Sequence, residues 1–331
     1  MPNKFSIAMC TYDGARHLRE QLDSIAAQSR PPDELVICDD GSTDATRAII
    51  TDFAASVPFP VHLHINEQNL GSTKNFERAI SLCRGDLIAL SDQDDVWLPG
   101  KLAQLEAEFD RAPNIGLIFT DAEVVNEDTS PAGYTLWEKL PLGHDERQRL
   151  RRGKALDKLL EGSTMTGATM AFRARFKELV LPIPDDLVII HDAWIAILVA
   201  AVSKVLPFAS PLIKYRQHGG QQVGALERKG TPPAQVFLPG SVRDALLREN
   251  LYSEALALAR SVSRRLRERH DAFDTSQALA RLEARIAHLE ARSSMPRGRL
   301  LRAPRVLREL ITLRYHLYSK GIQSAVKDLL A

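Results

Sequence analysis

Cysteine is scarce in this 331-residue chain: Cys10, Cys38 and Cys83 are odd in number, widely spaced and never form a C-x-x-C pair. That excludes a disulfide framework and offers no zinc site, so a reducing compartment is expected. The first residues, Met1-Pro2-Asn3-Lys4, run straight into a strand-like segment without the apolar stretch of a signal peptide, which predicts a cytoplasmic protein. The longest apolar run, residues 193–213, is broken by Ser203-Lys204, Pro207 and Pro211. It reads as a buried helix followed by a strand, not as a bilayer span. Solenoid repeats are missing, as is a glycine-rich basic phosphate loop near the start.

What remains is the composition of an ordinary globular protein, 44% hydrophobic and 26% charged. The net charge of +1 hides an asymmetry. From Arg260 onward there are 16 Lys/Arg against 7 Asp/Glu, and before it 27 against 35. A basic tail suits a phosphate-bearing surface or a solvated helical face.

Residues 5–9, 34–38, 61–65 and 87–90 read as strands, with helices over 15–28, from a Ser42 or Thr43 cap, and after Gly71. Strands about thirty residues apart joined by helices predict right-handed parallel crossovers and a covered sheet. In such sheets a ligand lies beyond the carboxyl ends of the strands. The loops at residues 11–14, 39–42, 69–71 and 91–95 all fall there. A helix bearing Leu102, Leu105 and Phe109 and a strand at 115–120 follow, then an irregular stretch over 126–153. From Pro239 helix formers dominate: Leu279, Leu282, Ile286 and Leu289 recur at heptad-like spacing. A last amphipathic helix carries Leu307, Leu310, Ile311 and Leu317 among arginines.

The stretch Ser91-Asp92-Gln93-Asp94-Asp95-Val96-Trp97 follows the apolar run 87–90 directly. Three carboxylates within four residues repel one another, a cost relieved by a divalent cation. Asp92 and Asp94 flank a residue whose side chain is expected to point away, so both can address one ion. A helix cap or turn is the competing account.

The ordered set of residues 7–11, Val36-Ile37-Cys38-Asp39-Asp40-Gly41-Ser42, Asn69-Leu70-Gly71 and the acidic loop resembles family 2 glycosyltransferases of the GT-A fold, over roughly residues 4–225. The resemblance implies an α/β, Rossmann-like, mostly parallel central sheet with helices on both faces, a GT-A domain over 1–238 and a helical C-terminal region over 239–331. It implies an inverting, metal-dependent transfer of a sugar from a nucleoside diphosphate, dTDP- or UDP-linked, to a saccharide or lipid-linked acceptor, with Mg²⁺ or Mn²⁺ and no nucleic acid. The Tyr-Arg-Gln-His-Gly string and the C-terminal segment are similar to bacterial rhamnosyltransferases of surface polysaccharide synthesis, which implies dTDP-L-rhamnose.

By the same resemblance Thr11, Tyr12 and Asp39 lie beside the base, and Asp40 on the ribose side. Asn69, Gly71 and Lys74 line the nucleotide and diphosphate, with Asp92 near the ribose. Asp94 is the expected metal ligand, and His218 a second ligand or a phosphate partner. Asp192 of His191-Asp192-Ala193-Trp194 is the expected base, read as an exposed carboxylate near its ordinary pKa, with a helix cap as the competing role. Thr166, Gly167 and Trp194 form the acceptor side. Trp97 and Trp194 offer either sugar-stacking faces or core packing. Asp95 receives no role, and His17, His62 and His64 read as surface or strand-face residues. The glycine-flanked segment after His218 is expected to close over the donor. Two contacts stay open for the C-terminal helices, the inner membrane face and a second copy. A binding protein of the same fold without turnover is the alternative.

Overall fold

The computed structural model describes residues 3–140, 142–162, 165–187, 190–219, 240–296 and 298–330, with side chains of 240–251 left aside. The segment expected to close over the donor lies outside the described residues beyond 219.

The chain forms two compact units, one comprising Met1–Ile183 with Ile189–Arg228, the other Pro184–Val188 with Lys229–Ala331. The first opens with β1 (Phe5–Thr11), α1 (Ala15–Ala26), β2 (Glu34–Asp39), α2 (Thr46–Ala54), β3 (Val61–Ile65), α3 (Ser72–Leu82) and β4 (Leu87–Ser91). It continues through β5 (Val96–Trp97), α4 (Lys101–Arg111), β6 (Ile115–Val125), β7 (Pro131–Thr135), α5 (Leu136–Lys139), α6 (His144–Arg149) and α7 (Ala155–Leu159). It closes with β8 (Met170–Arg173), α8 (Lys177–Val180), α9 (His191–Val202) and β9 (Lys204–Arg216).

Among the described residues one curled sheet runs β3-β2-β1-β4-β8-β6-β9-β5, with β7 beside β6. The first four strands are parallel, and pairs such as Thr11 with Asp39 and Met9 with Ser91 bring their carboxyl ends to one edge. Strands β1, β2 and β4 are buried along their whole length, as their nearly continuous apolar sequences require of strands covered on both faces. The far half of the sheet is mixed: β8 lies antiparallel between β4 and β6, so the turn preceding β8 starts at the same edge. Strand β9 runs parallel to β6, but pairing steps from Thr120–Phe208 to Asp121–Pro211, leaving Ala209 and Ser210 as a bulge.

Three local expectations change. Helix α2 begins at Thr46 without a side-chain cap, because the Ser42 hydroxyl bonds to Asp39 instead. Residues 126–153 hold β7, α5 and α6, the first turn of α5 being held by the Glu138 carboxylate accepting the Thr135 N–H at 2.7 Å. The last amphipathic segment is not one helix. The second unit contains α10 (Gly240–Glu268), α11 (Ser276–Ser293), α12 (Arg299–Ile311), α13 (Arg314–Tyr318) and α14 (Ile322–Leu330), with Leu313 at φ +59° parting α12 from α13. Of the heptad-spaced leucines on α11, Leu282 and Leu289 are buried.

Candidate active site

The loops after β1 and β2 are knitted together. The Asp39 carboxylate is buried and accepts from Ser42 N–H (3.0 Å), the Ser42 hydroxyl, Thr11 Oγ1 (2.9 Å) and Arg47 Nε (2.9 Å). Burial pushes its pKa up, but those donors outweigh it and the net shift is downward. Arg47 is 40% exposed, so it is the donor most readily exchanged for a ligand N–H. Tyr12 stands half-exposed beside this loop.

Asp40, expected on the ribose side, instead has its carboxylate engaged by Asn66 Nδ2 (2.6 Å) and by the N–H groups of Leu70 and Gly71 (2.8 Å each). It shapes the loop that Asn69 and Gly71 present. Asn69 is exposed and Gly71 has φ +79°, a conformation only glycine adopts without strain. The Lys74 ammonium donates to Ile183 O (2.6 Å) and Glu77 (2.9 Å), which ties α3 to the segment after α8.

In the acidic loop, the side chain between Asp92 and Asp94 does not point away. Gln93 Oε1 accepts the Tyr12 N–H at 2.9 Å, and its Nε2 donates to Tyr12 O at 3.0 Å. A Cβ on Gly14 would lie 2.1 Å from Gln93 Oε1, so a side chain there would push the Gln93 amide off Tyr12.

Asp95 is fully buried. Its Oδ1 accepts the Arg216 N–H at 3.1 Å, and its Oδ2 has no hydrogen-bond partner among the described residues. Arg216, itself buried, donates to Asp94 O (2.7 Å), Glu127 O (2.5 Å) and Glu20 (2.5 Å). Asp95 therefore anchors the end of β9 to the acidic loop.

That anchor sets the next pair. His218 Nε2 meets Asp94 Oδ2 at 2.8 Å. His17, read as a residue without a role, packs its ring 5.0 Å from that of His218, with Nε2 buried, without a hydrogen bond among the described residues and 3.8 Å from the Glu127 carboxylate. Burial, Asp94 and Asp192, in that order, push the Asp92 carboxyl up, and burial with Asp94 and Asp92 does the same to Asp95.

Crowded acids whose protonation is favoured when they stand alone form a donor set that fits a divalent cation. No group of three or more His, Cys, Asp or Glu side chains is arranged around a common metal position among the described residues. Asp94 and His218, 2.8 Å apart, are the two side chains here that would hold such an ion.

Across the edge, the 3₁₀ turn of residues 167–169 meets α9. Asp192 Oδ2 accepts the Gly167 N–H at 3.1 Å and Oδ1 the Ala193 N–H at 2.5 Å. Asp192 is buried, not exposed: burial pushes its carboxyl up to about 6, and those two N–H groups offset only part of the shift. His191 stacks on Phe76 at 4.0 Å, both ring nitrogens without a hydrogen bond among the described residues, and burial lowers its pKa to about 3, so it is neutral. A Cβ on Gly167 would lie 2.9 Å from His191 Nε2 and 3.4 Å from Asp192 Cβ. Thr166 begins this turn, its carbonyl accepting from Thr169.

Neither tryptophan is a sugar platform. Trp194 is buried with Nε1 bonded to Val180 O at 2.8 Å, which removes it from the acceptor side. Trp97 is buried under the Lys101 ammonium, 3.8 Å above its ring. Lys101, unremarked in the sequence, donates to Ala168 O at 2.8 Å. Burial lowers its pKa to about 7 against the pull of Asp95 and Asp92. It ties the acidic loop to the turn under Asp192.

Comparison with known proteins bears on the family and the fold. The family model described as Glycosyl transferase family 2 matches residues 6–180, just over half of the chain. An uncharacterized protein of Mycobacterium tuberculosis is 38% identical over 125 residues, 37% of this chain and 36% of its own length. An Escherichia coli UDP-Glc:alpha-D-GlcNAc-diphosphoundecaprenol beta-1,3-glucosyltransferase is 27% identical over 135 residues, 41% of this chain and 52% of its own. The chain thus spans between a third and about half of these relatives. Among solved structures, Staphylococcus aureus TarS residues 1–349 with UDP-GlcNAc has a TM-score of 0.54 at 16% identity, covering 95% of this chain and 88% of that one. A Pyrobaculum calidifontis mannosyltransferase with GDP-Man and Mn²⁺ has a TM-score of 0.51 at 16% identity, covering 94% and 76%.

Proposed function

The chain belongs to glycosyl transferase family 2, and from that premise we propose that it is an inverting, metal-dependent transferase moving a sugar from a nucleoside diphosphate to a saccharide or lipid-linked saccharide. The observation that carries the reading is the convergence of two acidic centres on one sheet edge. The charge of Asp192 helps raise the Asp92 carboxyl, whose loop also carries Asp94, and the His218 imidazole reaches Asp94 from the end of β9.

In this reading the loops of Thr11, Tyr12 and Asp39 receive the nucleotide, with Asn69 and Gly71 beside it and Asp92 near the ribose. Asp94 and His218 would hold a divalent cation, Mg²⁺ or Mn²⁺, which would supply charge neutralisation to the departing diphosphate. Asp192 takes the proton of the acceptor hydroxyl as that oxygen bonds to the anomeric carbon and the bond to diphosphate breaks. One in-line displacement inverts the configuration. A carboxyl raised to about 6 is a better base than an exposed one and is still ionised at neutral pH. Gly167 aims it through its N–H, and neutral His191 adds no cation that would weaken it.

The named activity of the Escherichia coli relative supports an acceptor on diphosphoundecaprenol, hence work at the inner membrane face. For the donor, dTDP-L-rhamnose is the first to test, with UDP-hexoses beside it.

The deciding experiment is release of nucleoside diphosphate from a panel of donors with and without Mn²⁺. Metal-dependent release that Asp192→Asn abolishes, with donor affinity retained, is the expected result. Metal-dependent nucleotide binding with no release from any donor and any acceptor would establish instead a binding protein of this fold.

A further inference from the structure

The second unit distributes apolar surface against the usual pattern. Among the described residues, nine large apolar side chains between 300 and 330 are exposed, against four in the rest of the chain. Its terminal cluster is small: Val306, Tyr315 and Ala325 form the buried centre, with Met295, Leu310 and Leu329 packed around it. Burial therefore consumes only one side of each helix.

The other side is ordered. On α12 the 4-3-4 spacing of Leu300, Pro304, Leu307 and Ile311 puts them on one face, away from Val306, Glu309 and Leu310. Leu300 is 91% and Ile311 73% exposed. On α13 and the turn before it, Leu313 and Leu317 repeat the spacing, as do Ile322, Val326 and Leu330 on α14. Each helix carries a second apolar row facing solvent.

The charges beside these rows have one sign. Arg299 and Arg308 flank the α12 row and are exposed, with no carboxylate paired to either among the described residues; Lys320 and Lys327 are exposed near the α14 row. The two acids of this stretch are committed inward: Glu309 is buried against His288 (2.7 Å) and Arg314 (3.2 Å), and Asp328 is paired with Arg292 (2.6 Å).

We infer that this face lies on an anionic phospholipid surface, its leucines and isoleucines in the acyl boundary and its arginines and lysines among the headgroups. A second copy is the poorer occupant. Isologous pairing of the rows would oppose arginine rims with no exposed carboxylates to meet them. Spanning is also excluded for the described helices, none of which is long and apolar enough to cross a membrane. The inference rests on the proposed function only for why the acceptor should be there; membrane binding and turnover are read separately.

The test is co-sedimentation of the full chain with phosphatidylcholine vesicles, with and without phosphatidylglycerol. Wild type should bind the anionic vesicles at least about tenfold more tightly and release them as salt rises. Leu307→Glu with Ile311→Glu, or Arg299→Gln with Arg308→Gln, should each lower that affinity by roughly tenfold or more. UDP binding in solution should not change, showing that the fold is intact. Indifference of wild type to anionic vesicles, or equal binding by both double variants, overturns the inference. So does a concentration-dependent dimer, lost in Leu307→Glu with Ile311→Glu, in a protein that binds no vesicles; it would give the face to a second copy. Failure of donor hydrolysis alongside normal vesicle binding would count against the catalytic reading alone.

Discussion

Gln93 and Tyr12 form a reciprocal pair: the amide side chain of one closes both backbone hydrogen bonds of the other, at 2.9 and 3.0 Å. The acidic loop is thereby fixed to the loop after β1, and movement of either displaces the other. Gln93→Ala removes both bonds, each worth about 1 kcal/mol. Nucleoside diphosphate affinity, measured by calorimetry, should fall by roughly tenfold or more, with a drop of a few degrees in Tm. Unaltered affinity would show that Tyr12 keeps its place without Gln93.

The raised carboxyl of Asp192 gives a pH prediction with a definite sign. Only the ionised form accepts a proton, so kcat at saturating donor and metal should be level above about pH 6 and fall about tenfold per unit below it. An acid limb nearer pH 4 would mean that bound donor and metal restore the ordinary carboxylate value.

Gly167 should tolerate no side chain. In Gly167→Ala the new Cβ meets His191 Nε2 at 2.9 Å, so the turn, the imidazole or Asp192 must shift. Because misplacing a reacting group by about 1 Å costs on the order of a hundredfold, turnover should drop by that order while donor affinity holds. Single-turnover kinetics with a calorimetric Kd separate the two.

Lys101→Met conserves the apolar stem and removes the buried charge. Ala168 O loses its donor and the Asp92/Asp95 pair its cation, so urea unfolding should show a loss of about 1–3 kcal/mol. Turnover should fall further than stability explains, because the link from the acidic loop to the turn under Asp192 is cut. Lys101→Arg would not rescue it, because a larger head group with more N–H donors than Ala168 O can accept enters a fully buried site.

Asp94→Ala and His218→Ala test the metal pair. Each should weaken Mn²⁺-dependent UDP binding by about tenfold or more, while UDP binding without metal stays near wild type. Equal metal dependence in wild type and both variants would exclude the pair as ligands.

The order of strands and edge loops was legible because Gly, Asn and Asp punctuate the apolar runs where parallel strands end. What stayed hidden depended on partners far away in sequence. Gln93 seemed to point away because strand alternation was extended into a loop, where it no longer applies. Trp97 and Trp194 gave no sign of which face they bury. Buried cations such as Lys101 and Arg216 look like surface residues until Ala168, Asp94 and Asp95 are found around them. The antiparallel placement of β8 had no local signal, since a four-residue apolar strand reads the same in either direction. Asp192 could be recognised as an acid at the mouth of an apolar helix; its burial, and with it the raised pKa, needed the turn of residues 167–169 packed under it.

The bulge at Ala209 and Ser210 makes the length of β9 matter more than the identity of its residues. Arg216 reaches Asp94 and Asp95 with two extra residues taken up before Pro211 pairs with Asp121 and one more before Lys214 pairs with Glu123. Deleting one would turn Tyr215 or Gln217 toward the acidic loop and send the guanidinium to the opposite face. Homologues that gain or lose a single residue between 205 and 214 would therefore need a compensating change elsewhere in β6 or β9, whereas substitutions at the bulge itself should pass without effect.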